Sequence, residues 1–254
     1  MNWANANTPK YVAADKFNGH EYIDLGLPSG TKWAKMNVGA NSETDYGLYF
    51  AWGETEGYTA SQIPSKKKFY WGDYKFGSQS PFSKYGNDGL TKLELTDDAA
   101  AVNMGGDWHM PNRAQWLELF KETKNGFVTN AGAFTQYAWD NTNGYSSPTT
   151  TTAAISGWDT AGYFFFKNTY TSVTDAITAE DYLFIPAAGY CEDGEVYDVG
   201  IYGVVWASAL NSEDVESAWD FLFGSVGAGV YDDYRCGGQS VRGVISPTVT
   251  PPIE

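Results

Sequence analysis

Alternation of apolar and polar residues predicts short strands along much of the chain. Near its start, Ile23, Leu25 and Leu27 alternate with polar or glycine positions, and a period of two residues is typical of a half-buried strand. The segment 21–27 is therefore a predicted strand, ended by the Pro-Ser-Gly turn at residues 28–30. Further aromatic or aliphatic runs predict strands at residues 31–38, 47–52, 162–167, 182–185, 203–208, 218–223 and 239–245.

Two segments carry the capping signals of helices instead. Residues 96–102 begin with a capping Thr and two acidic residues, and the glycines at 105–106 stop the helix. Asn112 followed by Gln115 resembles a capping box, and the apolar residues of 116–120 fall on one helical stripe. Two early helices and many later strands predict an α+β fold rather than a repeating βαβ layout.

The pattern also divides the chain into parts. Residues 1–19 are polar and lack a period, so we interpret them as a leader or linker before a domain at residues 20–245. Residues 126–160 are polar and weakly patterned, which predicts a long decorated loop or insertion in that domain. Residues 246–254 are Pro-rich and predict an extended or disordered tail.

Composition and charge narrow the classes of function. The 254 residues include 10 Trp, 18 Tyr and 14 Phe, far more aromatics than a disordered chain carries. The 16 basic and 31 acidic residues give a net charge of −15, which argues against nucleic acid and anionic membranes as partners. The excess is local, because residues 168–254 hold two arginines and 14 acids, whereas residues 1–167 hold 14 basic and 17 acidic residues.

Targeting and membrane signals are absent from the sequence. No apolar run approaches the ~18 residues that a membrane span needs, and the first residues lack the charged-then-apolar pattern of a signal peptide. We therefore expect a soluble chain without direct membrane insertion, in which no signal segment is visible.

Residues suited to catalysis or metal binding are sparse. Cys191 and Cys236 either form a bridge or are two unrelated thiols. His20 and His109 stand alone, and no closely spaced cysteine pair accompanies them, so no zinc site is predicted. The sequence has neither a Gly-x-Ser-x-Gly elbow nor a phosphate loop, and no acidic pair is marked as an acid-base couple. We expect no catalytic residues, no metal and no cofactor.

Six segments in a fixed order, followed by a closing pattern, carry a resemblance to a known family. The segments are residues 20–40, 45–55, 97–116, 184–190, 205–211 and 217–223, and the pattern is R-x-x-G-x-S-V-R at 235–242. Together they resemble the paralogous surface proteins of gut Bacteroidetes and Fibrobacter-type bacteria. That family is similar to the C-type-lectin-like domains of the formylglycine-generating-enzyme type, and to the variable proteins of diversity-generating retroelements.

The resemblance implies a C-type-lectin-like fold with two helices, short antiparallel strands and long loops. It also implies display on a bacterial or phage surface. The chain departs from the family at His109 and Cys191, where Arg is usual, and at residues 205–208, where the family favours Tyr-Trp-Ser-Ser. These departures put fixed chemistry at those positions in doubt, and the calcium and sugar motifs of C-type lectins are absent.

Codon arithmetic tests the likeness to variable proteins. Randomised adenines turn an AAY codon into an NNY codon, which cannot encode Trp, Gln, Lys, Glu or Met. Within residues 196–236 these types occur only at framework or loop positions, namely Trp206, Glu213, Glu216 and Trp219. The family usually has Asn, Ser or Tyr at ten positions that here carry types reachable by NNY codons: Tyr202, Val204, Ala207, Asp220, Leu222, Gly224, Tyr231, Asp232, Asp233 and Tyr234.

Periodicity and composition also indicate a binding face. Phe221 and Phe223 fall on one face of a strand, which leaves the alternate positions of 220–224 on the other face. The Tyr-Asp-Asp-Tyr segment at 231–234 has the composition of evolved binding loops, although its tyrosines would also suit the edge of a sheet. The complete predicted binding set is Tyr197, Asp198, Tyr202, Val204, Ala207, Asp220, Leu222, Gly224, Tyr231, Asp232, Asp233 and Tyr234.

These observations predict a non-enzymatic ligand-binding surface protein, the variable protein of a diversity-generating retroelement. Its carboxy-terminal third is expected to form a diversified face for a protein or glycan on another cell surface. The alternatives are an invariant adhesin or glycan-binding lectin of the same fold, and an enzyme of the formylglycine-generating type. We expect a cell-surface, extracellular or virion-displayed location, and we expect Trp206 and Trp219 to be buried beneath the face.

Overall fold

A ten-stranded sheet organises the molecule. The computed structural model describes residues 15–78, 81–86, 88–151 and 154–247. Within these ranges the 16 strands are β1 Lys16–Phe17, β2 His20–Ile23, β3 Lys32–Asn37, β4 Tyr49–Phe50, β5 Thr123–Val128, β6 Phe134–Asp140, β7 Tyr145–Thr151, β8 Gly162–Lys167, β9 Tyr182–Pro186, β10 Tyr190–Glu192, β11 Glu195–Tyr197, β12 Tyr202–Leu210, β13 Ser217–Gly224, β14 Gly227–Tyr234, β15 Gln239–Ser240 and β16 Arg242–Ile245. The same ranges contain α1 Ile63–Lys66, α2 Ala99–Met104, α3 Arg113–Glu122, α4 Val173–Thr178 and a 3-10 helix at Trp71–Asp73.

The strands form two sheets and a hairpin. The large sheet has the order β4-β15-β12-β13-β14-β7-β6-β5-β8-β9, and β12 with β15 is its parallel pair. The smaller sheet has the order β1-β2-β3-β16, and β10 pairs with β11 as a separate hairpin. The chain crosses between the two sheets at Val241, because β15 ends at Ser240 and β16 begins at Arg242.

The predicted fold class is wrong. The sequence pattern and the resemblance predict an α+β, C-type-lectin-like fold with two helices, short antiparallel strands and long loops. The described residues instead form a β-rich fold in which the helices are short and the longest, α3, has ten residues. The prediction failed because strands with a polar outer face gave no clear alternation, so the extent of the sheet was underestimated.

The segment predicted as a long loop or insertion contributes β6, β7 and the end of β5 to the large sheet. β5 pairs with both β6 and β8, and β7 pairs with β6 and β14. Strand β7 has the sequence YSSPTTT and buries only Ser146 among its described side chains. Such Ser and Thr runs resemble a loop in sequence, although their backbone continues the sheet. The segment 126–160 therefore joins the two halves of the sheet.

Both predicted helices are present. Asp98 caps α2 by accepting a hydrogen bond from an amide of the first turn at 2.9 Å. Asn112 and Gln115 form the predicted capping box at the start of α3, with reciprocal side-chain to backbone hydrogen bonds of 3.0 and 2.9 Å. From the buried side of α3, the ring of Trp116 packs 4.7 Å from the ring of Phe221 in β13.

The ends of the chain are described in part. Lys16 and Phe17 of the predicted leader form β1, which pairs with β2, and Lys16 forms a salt bridge with Glu21 at 3.2 Å. Residues 1–14 and 248–254 lie outside the described residues, and with them most of the predicted leader and tail. The domain limits at 20–245 stay predictions.

Strands β12 and β13 separate two parts of the core by their alternation. One cluster, on the side of α3, contains Val205, Ala207, Phe221 and Phe223. Trp206 belongs to the other cluster, and its indole Nε1 donates a hydrogen bond to the carbonyl of Phe50 at 2.8 Å. The same pair of strands therefore supports a hydrophobic layer on each side.

Arg235, the first arginine of the closing pattern, is completely buried. Its guanidinium donates to the phenol oxygen of Tyr74 and to backbone carbonyls, with all four hydrogen bonds between 3.0 and 3.1 Å. The carbonyls belong to Lys84, Tyr85 and Val215. The ring of Phe82 lies 4.4 Å from the guanidinium carbon, as in a cation–π contact. The arginine thus fixes irregular segments of chain.

Arg242, the second arginine of the pattern, is buried between the two sheets. It donates to the carbonyls of Ala34 in β3 and Phe184 in β9, both at 3.0 Å. Burial lowers the pKa of Arg242 to about 9, and the charge of Glu43 opposes that shift. Both arginines of the resemblance motif therefore stabilise the scaffold.

We predict that Trp206→Ala lowers the free energy of unfolding by about 3–5 kcal/mol, because it leaves a cavity and removes a buried hydrogen bond. Trp219, also expected to be buried, is only partly buried and lies beneath the guanidinium of Arg113 at 4.4 Å. Trp219→Ala should therefore cost less. Urea denaturation measures both, with the exposed Asp232→Ala as a control of small effect. Equal midpoints for Trp206→Ala and Asp232→Ala would contradict this assignment.

We also predict that Arg235→Lys destabilises the protein by about 3 kcal/mol or more, since an ammonium cannot reproduce the planar set of donors. The matched control is Arg113→Lys, whose guanidinium stacks on a partly exposed ring and should contribute about 0.5–1 kcal/mol. Thermal and urea unfolding of the two variants provide the comparison. A cost for Arg235→Lys no larger than that of the control would show that the buried hydrogen bonds add little.

Candidate ligand-binding pocket

A pocket of about 370 Å³ opens beside the β10–β11 hairpin. It lies between the hairpin, the middle of the large sheet and the loop that follows β14. The residues that line it are Tyr190, Cys191, Glu192, Asp198, Tyr202, Val204, Leu222, Asp233, Tyr234, Cys236 and Gly237. The pocket therefore combines tyrosine rings, aliphatic side chains, carboxylates and two thiols.

The floor of the pocket is formed by β12 and β13. Val204 is the cross-strand partner of Leu222, so their side chains share one face of the sheet. Phe221 and Phe223 point to the opposite face and are buried in the core. The alternation predicted for residues 220–224 is confirmed. Successive residues of β13 point in turn to the face that carries the pocket floor and to the core on the α3 side.

The β10–β11 hairpin forms one wall. Asp193 and Gly194 make its turn with φ values of 48° and 78°, and an Asp-Gly pair with both φ positive is typical of a tight hairpin turn. The rings of Tyr190 and Tyr197 stack with centroids 5.6 Å apart. This pairing stiffens the wall and presents aromatic surface at the mouth of the pocket.

Backbone contacts attach the hairpin to the chain that follows β14. The amide of Cys191 donates to the carbonyl of Gly238 at 2.7 Å, and the amide of Gly238 donates back at 2.8 Å. Gly189 precedes the hairpin with φ of 70°, and a Cβ there would lie 1.9 Å from the carbonyl oxygen of Tyr197. A glycine is required at this point for the hairpin to close over the floor.

Asp233 brings a half-buried carboxylate to the pocket. Its Oδ2 accepts a hydrogen bond from Nε2 of Gln239 at 2.9 Å, and its Oδ1 accepts the amide of Tyr234 at 2.7 Å. Burial raises the pKa of Asp233, the Tyr234 amide opposes the rise, and the charge of Glu192 adds to it. The carboxylates around the pocket therefore repel one another.

Asp220 lies behind the pocket floor and is 1% exposed. It occupies the same face of β13 as Leu222, two residues away, and pairs across strands with Trp206 and Tyr231. Its carboxyl interacts by a hydrogen bond with the side chain of the buried Gln239, and a protonated carboxyl can donate to the amide oxygen of that glutamine. Burial raises the pKa of Asp220 well above its usual value, and the charges of neighbouring aspartates add to the rise.

The two cysteines are free and buried, and both line the pocket. The structure therefore has two thiols where the sequence left a bridge open. Burial raises the pKa of the Cys236 thiol to about 12 and raises the pKa of Cys191 as well. Since the thiolate is the reactive form, both side chains are poor nucleophiles in this environment.

The pocket brings together half of the predicted binding residues. The six that line it are Asp198, Tyr202, Val204, Leu222, Asp233 and Tyr234. Three others are exposed: Tyr197 on the hairpin, and Tyr231 and Asp232 on β14. Asp232 pairs with Trp219 and so lies on the opposite face of the sheet from Asp233.

Four predicted binding residues are buried: Val204, which lines the pocket but is 2% exposed, and three that do not line it. Ala207 lies in the core on the α3 side and is 0% exposed. Gly224 is buried, and a Cβ there would lie 2.6 Å from the ring of Tyr202. Asp220 is buried behind the floor, as described above. Ala207 lies on the same face of β12 as Val205, which is the face opposite the pocket. The resemblance to the family did not reveal which face this position occupies.

Sequence reasoning missed the hairpin side of the pocket. Tyr190, Cys191, Glu192, Cys236 and Gly237 line the pocket but were not in the predicted set. The Asp-Gly pair at 193–194, between two short runs, was a local hairpin signal that could have located part of this wall.

Exposed apolar and aromatic side chains surround the pocket. Val199 and Ile201 are 42% and 53% exposed and lie on the loop between two lining residues, Asp198 and Tyr202. The other members are Tyr197, Tyr231 and Tyr234, which are 38%, 44% and 48% exposed. We call Tyr197, Val199, Ile201, Tyr231 and Tyr234 the rim. Exposed apolar side chains near a cavity are typical of an interaction site.

The histidines lie away from the pocket. His109 places Nδ1 3.0 Å from the carbonyl of Asp107 and Nε2 3.3 Å from the hydroxyl of Ser246, and the ring of His20 packs edge-on against Trp108. In the described part of the chain, no group of three or more His, Cys, Asp or Glu side chains is arranged to hold a metal ion. No helix in the described residues has the length and apolar character of a membrane span.

Comparisons of the chain with protein-family models, with curated proteins and with solved structures found no match. The functional assignment therefore depends on the residues of the pocket and its rim.

We predict that Asp220→Asn stabilises the protein at neutral pH. The carboxyl of an unfolded chain titrates near pH ~3.9, while the folded pKa is raised, so the native state binds more protons between the two values. The free energy of unfolding should then fall as pH rises from about 4 through the folded pKa, and the variant should lack this part of the fall.

Thermal unfolding between acidic and neutral pH measures the effect, and Asp107→Asn serves as the control, because Asp107 is exposed and is not among the groups that shift the pKa of Asp220. An unchanged pH dependence in Asp220→Asn would contradict the raised pKa.

Proposed function

We propose that the protein is a non-enzymatic ligand-binding protein displayed at a cell or virion surface, and that the pocket and rim are its binding face. One observation carries this proposal. Six of the residues predicted as binding residues line a single pocket, and exposed tyrosines and aliphatic side chains surround it. Pockets with apolar walls and a few polar groups are the usual binding sites of proteins.

The composition of the face supports binding to a macromolecular ligand. Tyr197, Tyr231 and Tyr234 present large rigid rings whose ordering costs little conformational entropy, while neighbouring aspartates and glycines supply polar contacts and adaptability. An exposed group of this kind is costly to leave in water and gains free energy when a partner covers it.

The cysteines support binding over catalysis of the formylglycine-generating type. That chemistry needs a reactive cysteine pair, whereas burial raises the pKa of Cys191 and Cys236. Both thiols are therefore protonated at neutral pH and are part of the apolar lining.

We further propose that the face is diversified, as in the variable proteins of diversity-generating retroelements. The support is that Tyr202, Val204, Leu222 and the 231–234 segment carry types reachable by NNY codons and lie at the pocket or on β14. The fold class that accompanies this resemblance is wrong, so the proposal depends on the codons and the positions of these residues. Ala207, Asp220 and Gly224 are excluded from the diversified set because they are buried and do not line the pocket.

The coding DNA tests diversification. We expect NNY codons at Tyr202, Val204, Leu222 and Tyr231, a near-identical template repeat, and a reverse-transcriptase gene nearby. Near-identical copies of the gene should differ at these positions, while Ala207 and Phe221 stay constant because changes there would disturb the core. Codons ending in A or G at the pocket positions, or no template repeat, would sink the diversification proposal and leave an invariant binding protein.

The invariant alternative, an adhesin or glycan-binding lectin, is favoured by the stacked rings of Tyr190 and Tyr197, because such rings also serve as platforms for sugars. A glycan array with and without calcium separates the two readings. If the face is diversified for protein ligands, we expect no general affinity for sugars. Binding to a set of related glycans, and loss of that binding in Tyr190→Ala, would establish the lectin.

A further inference from the structure

Given the binding face proposed above, on which this inference rests, we propose that the pocket receives a protonated Lys or Arg side chain presented by a partner protein. The rim then packs against the partner surface around that side chain. Carboxylates without basic partners, aromatic walls and an aliphatic floor all favour a cationic side chain as the occupant.

Three carboxylates line the pocket without basic partners. Glu192, Asp198 and Asp233 belong to the lining, and none of them forms a salt bridge among the described residues. The pocket lining contains no Lys, Arg or His. Neighbouring carboxylates of this kind repel one another, and a cation placed between them would relieve the repulsion.

The shape of the lining suits a side chain with a long apolar stem. Val204 and Leu222 form an aliphatic floor, against which the methylenes of Lys or Arg can pack while the charged group stays polar. Three tyrosines stand in the walls, namely Tyr190, Tyr202 and Tyr234, and a ring face attracts a cation within about 6 Å. A volume of about 370 Å³ is near the lower end of ligand pockets, at about 300–1,000 Å³, and suits a single side chain.

The rim indicates that the cation belongs to a protein. A free metal ion would leave Val199 and Ile201 exposed, whereas a protein surface seated on the pocket would cover both. Apolar contacts that exclude water around a central charged or aromatic residue are the usual arrangement of a binding hot spot. The local excess of acidic residues would also attract a basic partner from a distance, because opposite charges accelerate association.

Small probes separate charge from shape. Nα-acetyl-lysine methylamide and Nα-acetyl-arginine methylamide are added stepwise to the full chain. Two-dimensional NMR monitors binding through the chemical shifts of the backbone amides of Leu222 and Gly237. N-acetyl-norleucine methylamide keeps the apolar stem and lacks the charge. We expect saturable shifts for the two cations, binding about tenfold or more weaker for the neutral probe, and a loss of affinity between about 50 mM and 500 mM salt.

Matched variants assign the charge to the pocket. Glu192→Gln and Asp198→Asn should each weaken lysine-probe binding about threefold to tenfold, while Glu213→Gln, an exposed acid outside the lining, should not. Asn suits position 198 because its φ is 56°. The rim is tested by acetyl-Leu-Lys-Leu-amide, which should bind more tightly than acetyl-Gly-Lys-Gly-amide, with the advantage reduced in Ile201→Ser.

Each other outcome is decisive. Equal affinity for the norleucine and lysine probes would overturn the inference and leave the pocket as an apolar binding site, so the proposed function would stand. Shifts that Glu213→Gln weakens as much as Asp198→Asn would place the cations on the general acidic surface and also overturn it. No shift at the reporters with any probe would reject the pocket as the binding site, whereas the codon test decides diversification independently.

Discussion

The buried guanidinium of Arg235 anchors the end of β14 to irregular segments of the chain. It follows β14 directly, and its hydrogen bonds reach Tyr74, the carbonyls at 84–85 and the carbonyl of Val215. The chain between β4 and α2 has little regular structure and depends on such contacts for a fixed path. The residues on either side of the arginine, Tyr234 and Cys236, line the pocket. The buried cation therefore fixes the chain at a point that lies between two residues of the pocket lining.

The strands beneath the pocket serve two purposes at alternating positions. In β12, Val205 and Ala207 pack towards α3, whereas Tyr202 and Val204 line the pocket. Whether a substitution affects stability or recognition therefore depends on which face its position occupies. Trp206 limits this separation, because it lies on the pocket side in register but is fully buried. A surface can vary on such a sheet because the opposite face retains the core.

Sequence patterns predicted best those elements that interactions between neighbouring residues determine, such as the helices and single strands. The predicted cap at Asn112 located α3, whereas α2 is capped by Asp98 and not by the predicted Thr at position 96. The aromatic run of β8 matched its strand. The ten-strand order was not predictable, because the polar strands β6 and β7 resemble loops until their partners are known. The pocket was found in part, since alternation placed Leu222 on the open face. Its hairpin wall was missed because it depends on the backbone pair of Cys191 and Gly238, which are distant in sequence.

The crossing at Val241 has a consequence for the synthesis of the chain. β15 completes the large sheet between β4 and β12, and β16 completes the small sheet against β3. Strand β3 ends at Asn37, and β16, which pairs with it on the side away from β2, begins at Arg242. A ribosome that adds about 5–20 residues per second needs about 10–40 s to synthesise the chain between them. Throughout this time Trp33 of β3 lacks its cross-strand neighbour in β16, Val244. Both sheets therefore gain a strand only after residues 239–245 have been synthesised.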